Sequence, residues 1–154
     1  MKNTKAALLW ITGLLKKHEI PYQIAGGLAA QAYGAERELA DIDIDIPMSG
    51  FKKIIEEVQP YLVSEPTETL DAYWESYLMT LKYEGQDIDI SSIDNVKIFN
   101  ATTRVWENLV TDLSKAKPTE ILGVEVKIIP KEDLLRYKKI LRRHVDLLDV
   151  QQIE

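Results

Sequence analysis

The sequence predicts an α+β domain, equally describable as α/β, with a mixed sheet of about five strands flanked by helices. Three observations predict it. Segments with apolar residues at helical spacing are interspersed with segments of period-two alternation. Gly and Pro stand at the boundaries between those segments. No linker, internal repeat or low-complexity tract divides the 154 residues, so one domain over 1–154 is expected.

Ala7, Leu8, Ile11, Leu14 and Leu15 recur at helical spacing while Lys5, Thr12, Lys16 and Glu19 stay polar, which predicts an amphipathic first helix. The same stretch has the outline of a signal peptide, but Lys16-Lys17-His18-Glu19 stands where a small-residue cleavage site belongs. Helix is the better reading, and the cytoplasm is the expected location. Pro21 precedes strand one, Tyr22–Ala25, which Gly26-Gly27 ends; Leu28–Tyr33 reads as a short helix closed by Gly34. Asp41–Ile46 alternates strictly and reads as strand two, stopped by Pro47. Phe51, Ile54, Ile55 and Val58 predict a helix over 50–60. Tyr77–Tyr83 and Asp87–Ser91 form a hairpin about Glu84-Gly85-Gln86. Residues 94–120 are the least readable: Lys97–Thr103 looks extended, and Trp106–Leu113 fits either helix or strand. Val124–Ile129 is the last strand, ended by Pro130, and C-terminal helices over 131–152 are expected to pack on the core.

Hydrophobic residues make up 45% and charged residues 29% of the chain, which excludes a disordered tail and a collagen-like sequence. With 19 Lys+Arg against 25 Asp+Glu the formal charge is −6, so duplex nucleic acid is not an expected partner. No cysteine is present, which excludes disulfides, zinc-thiolate sites and thiol nucleophiles. No apolar run reaches the ~18 residues of a membrane span.

Chemistry concentrates in Asp41-Ile42-Asp43-Ile44-Asp45-Ile46. A strand sends alternate side chains to opposite faces, so the three aspartates share one face, spaced roughly 7 Å apart. Two readings follow: carboxylates converging on divalent cations about 3.5–4 Å apart, as in two-metal phosphoryl chemistry, or a solvated face that protects a strand edge. An EF-hand is excluded, because its Gly and acidic positions are filled by Ile46 and Lys52. Gly26-Gly27 before a helix is either an ordinary turn or an anion cradle of backbone N–H groups. Asp87-Ile88-Asp89-Ile90 repeats the acidic pattern; if the two acidic strands are neighbours, Asp89 completes a carboxylate triad with Asp41 and Asp43.

Ile24-Ala25-Gly26-Gly27, then Arg37 ahead of Asp41-Ile42-Asp43-Ile44, resembles the DNA polymerase β-like nucleotidyltransferase superfamily. The likeness is greatest to its small lincosamide and aminoglycoside nucleotidyltransferases and its abortive-infection nucleotidyltransferases. The C-terminal Lys138, Arg143, Asp146 and Asp149 resemble the family's closing helix, and the matches together span 22–150. The resemblance implies a nucleotidyltransferase-type mixed sheet and a metal-dependent enzyme that transfers a nucleoside monophosphate from NTP to a hydroxyl of a small-molecule acceptor. It implies Asp41, Asp43 and Asp89 as ligands of two Mg²⁺ ions, with Asp89 also the base on the acceptor hydroxyl. It further implies Gly26 and Gly27 at the phosphates, with Arg37 and Lys138 as candidate phosphate contacts.

The chain departs from the family where Leu28 replaces the Ser that commonly follows Gly-Gly, as a bulky residue does in the antibiotic-modifying branch. Asp45 is an extra acid, expected to face solvent. For Arg37 the alternative is an ion pair in the neighbourhood of Glu36 or Glu38, and for Lys138 an exposed helical position. His18 and His144 read as surface residues, and Trp10, Trp74 and Trp106 as core or interface. Tyr73 and Trp74, placed in a loop before the hairpin, also suit an acceptor pocket. Two other functions stay open: an antitoxin or phage-defence partner acting on a protein, and a catalytically silent nucleotide binder. A homodimer completing the acceptor site is a further expectation.

Overall fold

The computed structural model describes residues 1–154. Strand β2, Asp41–Ile46, organises it. Its alternation leaves Ile42, Ile44 and Ile46 at no more than 1% exposure, while the three aspartates are half-buried on the opposite face, as period two requires. Strand β1 (Gln23–Ala25) pairs antiparallel with β2, and β5 (Gln86–Ser92) pairs parallel with its other side. The sheet continues beyond β1 into β9 (Val124–Ile128), which is parallel to β1, and then β8 (Lys117–Ile121). Beyond β5 lie β4 (Trp74–Tyr83), β6 (Lys97–Asn100) and β7 (Val105–Asn108), all joined by antiparallel pairings. Strand β3 (Leu62–Leu70) pairs antiparallel with β4 as well.

Helix α1 (Thr4–Lys17) is capped by the Asn3 side chain, which accepts from the Ala6 N–H, and ends in Lys16 and Lys17, favourable at the negative end of the helix dipole. Helix α2 spans Gly26–Ala32 and α3 spans Met48–Val58. The isoleucines of β2 join a core of 33 buried residues that includes Leu8, Ile11 and Leu15 of α1 and Phe51, Ile54 and Val58 of α3. Burial of each large aliphatic side chain contributes ~2 kcal/mol, which outweighs the weak local propensity of either element alone. Helices α4 (Lys131–Leu141) and α5 (His144–Ile153) close the chain, separated by Arg142 in the left-handed region at φ 54°. No helix is long and apolar enough to cross a membrane.

The hairpin between β4 and β5 turns on Glu84 and Gly85, both at positive φ (49° and 74°), the conformation a two-residue turn of right-handed twist demands. The sheet has nine strands where about five are predicted. The additional ones are β3 and β8, with β6 inside the stretch Lys97–Thr103 read as extended and β7 overlapping the stretch Trp106–Leu113 that fits either helix or strand. Strand β3 carries Glu65, Pro66 and Glu68, is mostly exposed, and shifts register twice, between Leu62 and Ser64 and across Pro66 between Ser64 and Thr67, so it has no apolar alternation to read. Trp74 is the first residue of β4 and not part of a loop; Tyr73 alone sits in the preceding turn. Trp10 stacks on Tyr83 with ring centroids 4.4 Å apart, whereas Trp106 remains 38% exposed against Phe99. His18 bonds to Glu57 on the surface, and His144 is exposed.

Candidate active site

Parallel pairing of β2 with β5 sets Asp43 directly beside Asp89, Asp41 beside Asp87 and Asp45 beside Ser91. Neighbouring strands lie ~4.8 Å apart, so Asp43 and Asp89 are closer to each other than either is to the next acid along its own strand. The Thr80 hydroxyl, from β4, donates to Asp89 Oδ1 at 3.1 Å. Asp87 is drawn off toward Lys82 at 3.5 Å. The expected solvent position of Asp45 does not hold: its Oδ2 accepts from Gln23 Nε2 at 2.9 Å, and the side chain lines the cleft.

Crowding shows in the proton affinities. Burial, and then the charges of Asp89, Asp41 and Asp45, push Asp43 up to about 8, against a smaller pull from Lys138. Burial lifts Asp45 to about 6. Asp41 is raised by burial and by Asp87, and Asp89 by burial and by Asp41, the Thr80 hydrogen bond opposing.

Gly26 brings backbone to this cluster. It sits at φ 58°, and a Cβ built there would lie 1.9 Å from Asp43 Oδ2, so both conformation and contact exclude a side chain. Its N–H donates to the Tyr137 hydroxyl at 2.9 Å. Tyr137 is buried on α4, and burial followed by the charges of Asp43 and Asp45 raises its hydroxyl well above the ordinary tyrosine value. Gly26 and Gly27 therefore form the first turn of α2 instead of a free turn, and Gly27 is buried with its Cα against the Arg37 guanidinium.

The two cations that the resemblance directs at phosphate lie behind this wall. Arg37 donates from Nε and Nη2 to Asp149 at 2.8 and 3.0 Å, not to the neighbourhood of Glu36 or Glu38. Lys138 is 1% exposed, with Nζ 2.9 Å from Asp149 and 3.4 Å from Asp146, and so is no surface lysine. Arg143 completes the network through Nε on Asp146 at 2.7 Å. Burial alone would lift the Asp149 carboxyl, but Arg37 and Lys138 hold it below the ordinary aspartate value. The spacing of Lys138, Asp146 and Asp149 carried the signal for this cluster; the fold brings Arg37 to it from more than a hundred residues away.

In front of the acids opens a cleft of about 360 Å³, walled by Trp74, Leu109, Tyr137, Arg136 and Arg143. The Trp74 and Tyr137 rings meet edge-on at 5.8 Å, and Arg143 rests over the Tyr73 ring at 5.3 Å. Arg136, Tyr137 and Thr80 are the site residues that sequence reasoning missed, since none lies in an acidic or glycine motif.

No protein-family model matches the sequence, and no curated protein matches it either. Solved structures do. A Thermotoga maritima protein assigned to the nucleotidyltransferases superposes with a TM-score of 0.71 at 20% identity, covering 92% of this chain and 88% of its own. The lincosamide antibiotic adenylyltransferase LnuA, bound to lincomycin, gives 0.65 at 20% identity over 99% of this chain and 98% of its own. The chain has the nucleotidyltransferase fold. ANT(2'')-Ia, in complex with adenylyl-2''-tobramycin, shares the same fold at a TM-score of 0.60 and 17% identity, over 98% of this chain and 88% of its own.

On this nucleotidyltransferase fold the donor set is all oxygen, which suits a hard cation. No three acids converge on one point as a ready-made cage. Two facing carboxylates with a third one position along form the open arrangement that Mg²⁺ accepts, because it keeps waters and takes phosphate oxygens of a substrate in place of protein ligands. Burial first and then the neighbouring carboxylates raise Asp43, and a divalent ion would offset both. The residues fit the ion.

Proposed function

We propose that this protein is a magnesium-dependent nucleotidyltransferase that joins the α-phosphorus of a nucleoside triphosphate to a hydroxyl oxygen of a small-molecule acceptor. The P–O bond to the β-phosphate breaks, pyrophosphate leaves, and the hydroxyl proton passes to a base. The observation that carries this reading is the direct pairing of Asp43 with Asp89 beside Gly26, at the cleft of a nucleotidyltransferase fold.

Asp41, Asp43 and Asp89 would hold magnesium. Bound there, magnesium supplies charge neutralisation at the phosphates and Lewis acidity toward the attacking oxygen. Asp89 is the base: burial raises its proton affinity above that of a free aspartate, while the Thr80 hydrogen bond fixes Oδ1. Gly26 leaves backbone instead of a side chain beside Asp43, which lets the Asp43 carboxylate take its place at the cleft. The ring of Trp74 and the apolar side of the cleft give the acceptor a wall. The neighbours bound to lincomycin and to adenylyl-2''-tobramycin support an acceptor of drug-like size. A donor drawn from free NTP with Mg²⁺ supports a cytoplasmic location.

The test is pyrophosphate release from ATP or GTP with Mg²⁺ and an acceptor panel that begins with lincomycin and tobramycin. Acceptor-dependent release by the wild type, absent from Asp43→Ala, is the expected result. Release that is absent from the wild type with every acceptor, or that persists in Asp43→Ala, refutes the reading.

A further inference from the structure

Six aspartates line the cleft, against two cations, Arg136 and Arg143. A nucleoside triphosphate is itself a polyanion, so its phosphate tail needs positive side chains that face the same space. Arg37 and Lys138 do not line that space: both are spent on the buried Asp149 and Asp146. Arg136 stands next to Tyr137, whose hydroxyl receives the Gly26 N–H, so it shares a helical turn with the residue that touches the glycine. Its only ion pair is to Asp133 at 2.8 Å, and the Arg136 side chain is 57% exposed. A solvated pair of that kind is weak and readily exchanged for a phosphate. Arg143 is held differently. Two of its five N–H groups go to the carboxylate of Asp146, and the guanidinium rests over Tyr73. The others stay available along a wall of the cleft, on a group whose position is already fixed.

We infer that Arg136 and Arg143 clamp the terminal phosphates of the donor nucleotide. The inference rests on the transferase reading and assigns its donor subsite to residues on this chain. Arg143 supplies a fixed docking point; Arg136 leaves Asp133 and closes on the tail.

The experiment is calorimetric binding of inorganic tripolyphosphate, with Mg²⁺ present, to the full chain. Arg136→Gln is expected to weaken binding ~10-fold and Arg136→Gln with Arg143→Gln ~100-fold, the loss of one and then two charge-assisted contacts. Arg142→Gln removes an exposed cation outside the cleft and is expected to bind as the wild type does. Thermal melts of each variant report folding, and Arg136, whose only partner is solvated, carries the test if the Arg143 change unfolds the chain. Unchanged binding in Arg136→Gln, an equal loss in Arg142→Gln, or no binding by the wild type overturns the clamp. Intact clamp behaviour without pyrophosphate release by the wild type overturns the transferase reading instead, and the two failures are thereby told apart.

Discussion

Replacing Asp43 by Asn removes one ionisable group from a cluster in which burial and three neighbouring carboxylates push its proton affinity up to about 8. In the unfolded chain the same group titrates near 3.8. Between those values the native state holds a proton that the unfolded state has released, so stability falls as pH rises through that window and the loss is complete above about 8. Each unit of difference corresponds to 1.36 kcal/mol. Discounted by half for the water that reaches the half-buried carboxyl, the change from pH 5 to pH 8 is ~2 kcal/mol. For a chain of this length that corresponds to roughly 4–8 °C in Tm. In EDTA, Asp43→Asn should therefore melt close to the wild type at pH 5 and several degrees above it at pH 8, with a flatter Tm–pH profile. Added Mg²⁺ should raise the wild type at pH 8 and leave Asp43→Asn nearly unmoved. Calorimetric melts from pH 4 to pH 9 measure both effects. Parallel profiles for the two proteins, offset by a constant, would refute the raised proton affinity of Asp43.

Lys138→Met leaves Asp146 and Asp149 buried with one cation fewer between them, and a broken buried pair costs ~3–5 kcal/mol; urea denaturation should register a loss of that order. Gly26→Ala meets Asp43 Oδ2 and an unfavourable φ together, so it should displace the carboxylate and lower kcat about 100-fold, the usual effect of a misplacement near 1 Å; a smaller loss of stability than of turnover distinguishes displacement from unfolding.

The legible parts of this chain are those in which a single local rule decides the outcome. Asp41–Ile46 and Asp87–Ile90 alternate so strictly that only strands with one acidic face accommodate them, and placing the two strands side by side was enough to bring Asp43 to Asp89. Glu84-Gly85 marked its hairpin because few residues tolerate two successive positive φ values. Strands β3, β7 and β8 lie toward the margins of the sheet, where polar side chains face solvent and the partner strand supplies the order, and β6 was legible only as an extended stretch. The partners of Arg37 and Lys138 were hidden for a related reason. A cation near a glycine turn looks the same in sequence whether it meets a ligand or a buried aspartate more than a hundred residues away, and only the fold brings Asp149 to Arg37. Arg136 and Arg143 went unread as cleft residues because their position depends on how α4 and α5 close over the sheet.

The alternation of β2 also protects the assembly of the sheet. A slip of one position against β5 would drive three carboxylates into hydrocarbon and turn three isoleucines toward water, a penalty no mispaired arrangement could recover. The acids at the cleft thus act before any substrate arrives: they rule out every alignment of the strand that is off by an odd number of residues.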